Sequence, residues 1–191
     1  MGIAYSEAIN PVVWGIMNRF ERNMLARYRK ERQRNVLAQP GEHPFLLVLD
    51  NLKPGFNVAK IFRSAEAFGA AGVWLVNIGP FDPAPAKGSF RKVPARFFDN
   101  FSDCRLALQQ SDYQPFVLDP QAELLLTQTP LPVKTAFIFG HEELGCSFDI
   151  AAYPEMTCLK IQQFGSVQSL NVSIVASITM YEFARQRAEI K

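Results

Sequence analysis

Short runs of consecutive apolar residues alternate with longer amphipathic stretches along this chain. Phe45 to Asp50 is a continuous apolar run closed by its final carboxylate, bounded by Pro44 and a polar turn. A run without polar alternation predicts a strand covered on both faces. After the turn at Pro54-Gly55, Val58, Ile61, Phe62, Ala65 and Phe68 keep the i, i+3, i+4, i+7 spacing of a core-facing helix. Gly69 and Gly72 stop that helix, and Val73 to Asn77 predicts the next strand. A β-α-β unit of this kind implies a parallel pair with a right-handed crossover. Ser102 to Gln110 reads as a short helix, and Pro115 to Leu118, Thr135 to Phe139 and Met156 to Ile161 as further strands. Leu170 to Arg187 is the final helix, apolar nearly all round in its first half through Val172, Ile174, Val175, Ala176 and Ile178. Such a helix needs cover on more than one side, and a subunit interface supplies the second cover. Ile78 to Lys92, rich in Pro and Gly and carrying Lys87, Arg91 and Lys92, predicts a surface loop. The pattern is that of an α/β fold, a parallel sheet flanked by helices.

An amphipathic arm precedes this domain. Asn10-Pro11 has the form of a helix opening, Asn as cap and Pro in the first turn. Trp14, Met17, Met24, Leu25 and Tyr28 make a partial apolar stripe, and Gln39-Pro40-Gly41 ends the arm. Residues 10–38 therefore predict a helical extension docked on the α/β domain, dividing the chain into an extension at 1–43 and a domain at 44–191. The net charge of +2 over 191 residues says little, but its distribution says more. Arg19, Arg22, Arg27, Arg29, Lys30, Arg32 and Arg34 fall within sixteen residues against Glu21 and Glu31. Arg19, Arg22, Arg27, Lys30 and Arg34 are candidate contacts to a polyanion such as RNA; a solvated helix face is the plainer alternative. Cys104, Cys146 and Cys158 include no close pair, and His43 and His141 stand apart. That argues against a zinc site or a disulfide framework and fits free thiols in a reducing cytoplasm. No signal-peptide layout and no membrane-spanning apolar run is present.

A strand–helix alternation invites a dinucleotide reading, but no G-x-G-x-x-G and no P-loop lysine motif follows any predicted strand. The chemistry lies in three other segments: Asn57-Val-Ala-Lys-Ile-Phe-Arg-Ser-Ala-Glu-Ala-Phe-Gly69, Phe137-Ile-Phe-Gly-His-Glu-Glu-Leu-Gly145 and Gly165-Ser-Val-Gln-Ser-Leu-Asn-Val-Ser173. The third sets an amide and hydroxyls directly before an apolar helix, where unpaired backbone N–H groups are available to a ligand. In their order and spacing these segments resemble the motifs of the SpoU (TrmH) branch of the SPOUT methyltransferases, over about residues 44–187.

That resemblance implies S-adenosylmethionine-dependent 2′-O-methylation of a ribose in tRNA or rRNA, a C-terminal trefoil knot, and an obligate homodimer. It implies that Arg63 is the catalytic residue and Asn57 its positioning partner, with Glu142, Ser169 and Asn171 completing the catalytic set. It places Gly140, Ile161, Gly165, Ser169 and Leu170 around the cofactor's adenosine, with no metal. Each residue also has an ordinary reading. Asn57 caps a helix, Arg63 is a solvated surface charge, Glu142 is a loop charge, Ser169 is an N-cap, Asn171 is an early-turn amide, and His141 is incidental. The chain departs from the family's frequent Ile-Pro-Met at Ile161-Gln162-Gln163, which bears on cofactor affinity more than on the reaction. The short basic arm favours tRNA over rRNA. A non-catalytic RNA-binding protein on the same scaffold is the main alternative, and an NAD-binding enzyme a third.

Overall fold

The computed structural model describes residues 18–188. The helix opening expected at Asn10-Pro11, with the anchors Trp14 and Met17, lies outside the described residues. Helix α1 spans Arg19–Asn35 and begins at a capping box. Asn18 Oδ1 accepts from Glu21 N at 3.0 Å, while Asn18 N donates to Glu21 Oε2 at 2.9 Å. Two of the helix's orphan donors are thereby satisfied.

Seven parallel strands come after it: β1 His43–Asp50, β2 Ala70–Val76, β3 Ala95–Phe98, β4 Gln114–Leu118, β5 Leu124–Leu125, β6 Thr135–Phe139 and β7 Thr157–Lys160. Their order across the sheet is β3-β2-β1-β6-β4-β7-β5. The helices are α2 at Phe56–Ala67, α3 at Phe101–Gln110 and α4 at Val172–Ala188. One face of the sheet packs against α1, α2 and α4 around Phe45, Phe62, Phe137 and Phe183. The other buries Val48, Ile138, Phe101 and Cys104 beneath α3 and the segment near Phe148. Burying one such phenylalanine contributes roughly 1.5–3 kcal/mol relative to exposure. Central β1 and β6 are covered on both faces, which is why they read as unbroken apolar runs.

One expectation is corrected. Ile78 to Lys92 is no surface loop: it forms two short 3-10 turns, Ala84–Ala86 and Ser89–Arg91, with Phe81, Ala86 and Phe90 fully buried. These residues make the seat of α1. Tyr28 packs edge-on against Phe81 at 5.2 Å and stacks on Phe90 at 5.7 Å between ring centroids. The Asn35 amide donates to the carbonyls of Phe90 and Val93, and its oxygen accepts from Ala95 N at 3.0 Å. Pro and Gly dominate the composition of this stretch, yet Phe81, Ala86 and Phe90 turn inward while Ala84 stays exposed. Helix α4 has one buried side and one open side. It buries Val172, Ala176, Met180 and Phe183 on one side, while Ile174 and Tyr181 remain 51% and 59% exposed. Within one chain it is covered on a single face.

Candidate active site

The carboxyl ends of β4, β6 and β7 open into a cavity of about 550 Å³, a volume suited to a nucleoside-sized ligand. Its walls are the turns after those strands together with the entry to α4, and they include Asp119, Gly140, Glu142, Ile161, Gln163 and Leu170. In an open parallel sheet this is where ligands bind, because the strand ends present loops and unpaired backbone groups.

The Gly140–Ser147 turn is shaped by its sequence. A Cβ on Gly140 would lie 2.5 Å from the carbonyl carbon of Gly145, so only glycine lets the two backbones approach. Gly145 itself has φ of 73°, the left-handed region. His141 and Gly145 exchange backbone hydrogen bonds of 2.8 and 2.9 Å. Inside the turn His141 Nδ1 accepts from Glu143 N at 3.0 Å and Leu144 N at 3.2 Å, a turn-forming role for this histidine. The far end is held by Asp50, whose carboxylate accepts from Ser147 N at 2.6 Å and Ser147 Oγ at 2.8 Å. Burial pushes the Asp50 carboxyl above its ordinary value, and the two Ser147 hydrogen bonds oppose that shift.

One residue from each of the three motifs joins a single hydrogen-bonded row. Asn57 Nδ2 donates to Glu142 Oε1 at 3.0 Å, and Asn57 Oδ1 accepts from Asn171 Nδ2 at 3.2 Å. Asn171 Oδ1 in turn accepts from Ser173 N at 2.9 Å and from Ser173 Oγ. The carbonyl of Asn171 takes the first helical bonds, from Ile174 N and Val175 N, so Asn171 is the N-cap of α4. Ser169 therefore does not cap this helix. Asn57 is no cap either, since α2 starts at Phe56 with Gly55 before it and Asn57 is its second residue. Beside the row Lys53 Nζ meets Glu143 Oε1 at 2.8 Å, which holds the Glu143 carboxyl below its usual range.

Of the residues the sequence nominated, Gly140, Glu142, Ile161, Ser169, Leu170 and Asn171 line the cavity, and Asn57 touches two of them through the row. Gly165 and Arg63 do not line it. Gly165 is exposed, and a Cβ there would meet nothing within 4 Å. Arg63 is exposed on α2, and no hydrogen bond or ion pair engages it among the described residues. Other residues of the same segment reach α4. Ser64 shares a hydrogen bond of 2.8 Å with Ser177, and Phe68 packs edge-on against Tyr181. Sequence reasoning missed Asp50 as the anchor of the turn, and Asp119, Lys160 and Gln163 as cavity walls. A carboxylate ending an apolar strand was the available signal for Asp50; nothing local marked Asp119 or Lys160.

The candidate RNA contacts of the extension fall on one side of α1. At about 3.6 residues per turn, Arg19, Arg22, Arg27, Lys30 and Arg34 lie opposite the buried Leu25, Tyr28 and Asn35. Arg27 pairs with Asp82 at 3.1 Å and Arg34 with Glu31 at 4.0 Å. Arg19, Arg22 and Lys30 are exposed, with no ion pair among the described residues. Cys104, Cys146 and Cys158 are unpaired, and burial pushes the Cys104 and Cys146 thiols up to about 12. No helix among the described residues is long and apolar enough to cross a membrane.

Comparison with known proteins places this arrangement. Residues 44–181 match the model of the SpoU rRNA Methylase family. An uncharacterized tRNA/rRNA methyltransferase of Archaeoglobus fulgidus is 30% identical over 148 residues, 75% of this chain and 65% of the relative. A 23S rRNA (guanosine-2′-O-)-methyltransferase of Vibrio cholerae is 30% identical over 178 residues, 86% of this chain and 70% of the relative. The chain thus spans about two thirds of the length of the curated relatives it matches. Among solved structures, an AdoMet-bound rRNA methyltransferase from Sinorhizobium meliloti shares the fold. Its TM-score is 0.67 at 23% identity, covering 79% of this chain and 59% of that one. By its matching residues and its architecture, this chain belongs to the SpoU methylase family.

Proposed function

We propose that this protein transfers a methyl group from S-adenosylmethionine to a ribose 2′-hydroxyl in RNA. One observation carries the reading: Asn57, Glu142 and Asn171, far apart along the chain, meet in one hydrogen-bonded row beside a nucleoside-sized cavity. The residues present fit the cofactor. The cavity pairs apolar walls at Ile161 and Leu170 with polar residues at Asp119, Glu142 and Ser169, and Gln163, another wall residue, carries a side-chain oxygen that is buried without a partner. When bound, S-adenosylmethionine supplies a methyl group already activated on sulfur. Gly140, Ile161 and Leu170 hold its adenosine, and the row fixes Glu142 and Asn171 so that the turn and α4 keep one geometry. The Arg63 guanidinium stabilises the negative charge that develops on the ribose oxygen and the adjoining phosphate. The V. cholerae relative's name, a guanosine-2′-O-methyltransferase, supports the reaction class, and the AdoMet of the S. meliloti neighbour supports the cofactor.

The active form in this proposal is a homodimer. Ile174 and Tyr181 leave an apolar face on α4, beside the helix that carries Arg63, and a second copy there covers the face and sets an otherwise remote Arg63 at a subunit boundary. The trefoil enters this proposal through membership of the family. Residues 1–43 form a basic extension whose helix grips RNA phosphates. At about 1.5 Å per residue, α1 matches a short stem, which favours a compact folded RNA and hence tRNA over rRNA. Unpaired thiols accord with a cytoplasmic setting. Mapping ribose methylation in cellular RNA with and without this protein tests the proposal. One or a few 2′-O-methyl positions should vanish with it, in tRNA before rRNA; an unchanged map overturns it.

A further inference from the structure

Three buried side-chain polar atoms among the described residues have no hydrogen-bond partner: Glu31 Oε2, Arg187 Nε and Gln163 Oε1. Of the three residues only Gln163 lines the cavity. An acceptor shielded from solvent with nothing donating to it is unfavourable, and its pairing is the gain that a ligand can supply. The neighbouring Gln162 is not available for such a role, since it is exposed and its Nε2 donates to the carbonyl of Gln163 at 3.1 Å. That bond leaves the carboxamide of Gln163 unengaged while tethering its backbone.

A carboxamide sets one acceptor beside two donors. Adenine's edge presents the complement, an exocyclic amine next to a ring nitrogen, and glutamine reads it with two parallel hydrogen bonds. Ser169 offers the wall a single hydroxyl, which cannot pair with both groups of an adenine edge, and the other polar side chains named for the wall are engaged or charged. Asp119 accepts from Gln121 N at 2.8 Å, Glu142 and Asn171 belong to the row with Asn57, and Lys160 is a cation that cannot accept. We propose that Gln163 selects adenine in this cavity, its Oε1 accepting from the 6-amino group of an adenosyl ligand and its amide N–H meeting the adjoining ring nitrogen. The inference rests on reading the cavity as an adenosyl site and names the side chain that makes it specific for the base. It makes Gln163 a specificity-determining residue that this chain carries where a thioether would offer only a weak acceptor.

Calorimetric titration with S-adenosylhomocysteine and with its 6-deamino counterpart, identical but for the missing amine, tests the assignment. Wild type should bind the amino ligand about tenfold more tightly, the value of one well-formed hydrogen bond to a buried acceptor. Gln163→Met keeps an unbranched chain of similar size and should fold, which thermal unfolding checks. With both bonds gone it should bind S-adenosylhomocysteine about a hundredfold more weakly than wild type and the deamino ligand, which loses only the ring-nitrogen bond, about tenfold more weakly, so that the preference disappears. Equal weakening of both ligands, or no weakening, overturns the role of Gln163. The wild-type pair of titrations needs no variant: binding without amine preference sinks this inference and leaves the adenosyl site standing. Binding of neither ligand removes both.

Discussion

The carboxyl ends of the strands are finished in two ways across one sheet. Beyond β2, the chain folds Phe81, Ala86 and Phe90 back under itself, and the strand end is sealed beneath α1. Beyond β6, β4 and β7, the turns instead carry glycine, carboxylates and amides, and a cavity is left open. Both regions share the parallel geometry that makes strand ends natural ligand sites. The side chains of the adjoining loop decide whether such an end becomes a seat or a site.

Breaking the sealed end should have the largest effect on the fold. Phe90→Ala removes a fully buried ring beneath Tyr28 and should cost about 3–5 kcal/mol in urea unfolding. The affinity of the remaining folded protein for S-adenosylhomocysteine should change less than about twofold, because the cavity lies elsewhere. If the ligand is lost along with stability, the two regions are not separate. Removing the charge proposed to act on the ligand of the open end should do the reverse. Arg63→Ala should lower turnover by at least about a hundredfold, as removal of one charge-stabilising group does. Unfolding midpoint and ligand affinity should stay near wild type; near-normal turnover would strip Arg63 of its role.

A smaller effect separates the extension from both. Replacing Arg19, Arg22 and Lys30 together by Gln should flatten the dependence of RNA affinity on salt by up to about three units of log–log slope. An unchanged slope would remove α1 from the RNA surface. The smallest effect concerns the anchor of the Gly140–Ser147 turn. The folded Asp50 carboxyl lies above its ordinary value of 3.8 because it is buried, so the native state holds that proton more tightly than the unfolded chain. Its contribution to stability is present in full below the unfolded value and lost as pH rises through the raised folded value. Asp50→Asn carries no such proton, so the stability of wild type relative to this variant should fall from acid toward neutral pH. A difference that does not vary with pH contradicts the burial argument.

Residues buried on both sheet faces were legible in the sequence, and so was the α2 stripe, since each leaves a period or an unbroken run. β3 and β5 were not: four and two residues at or near the sheet edges are too short for any periodicity to register. The seat of α1 was misread because Pro and Gly signal turns without saying which way the intervening phenylalanines face. For the site, resemblance nominated Asn57, Glu142 and Asn171 separately. Their shared row depends on three loops arriving together, which no local pattern encodes. Gln163 was visible only as a departure in the third motif, because an unpartnered oxygen exists only once the loop has folded over it.

The central claim is that these converging segments methylate a ribose hydroxyl. Incubating the protein with methyl-labelled S-adenosylmethionine and unmodified RNA, then digesting to nucleosides, tests it directly. Label should appear in 2′-O-methylnucleosides and fall by about a hundredfold or more with Arg63→Ala. Label on a base, or no transfer to any RNA offered, would contradict the account.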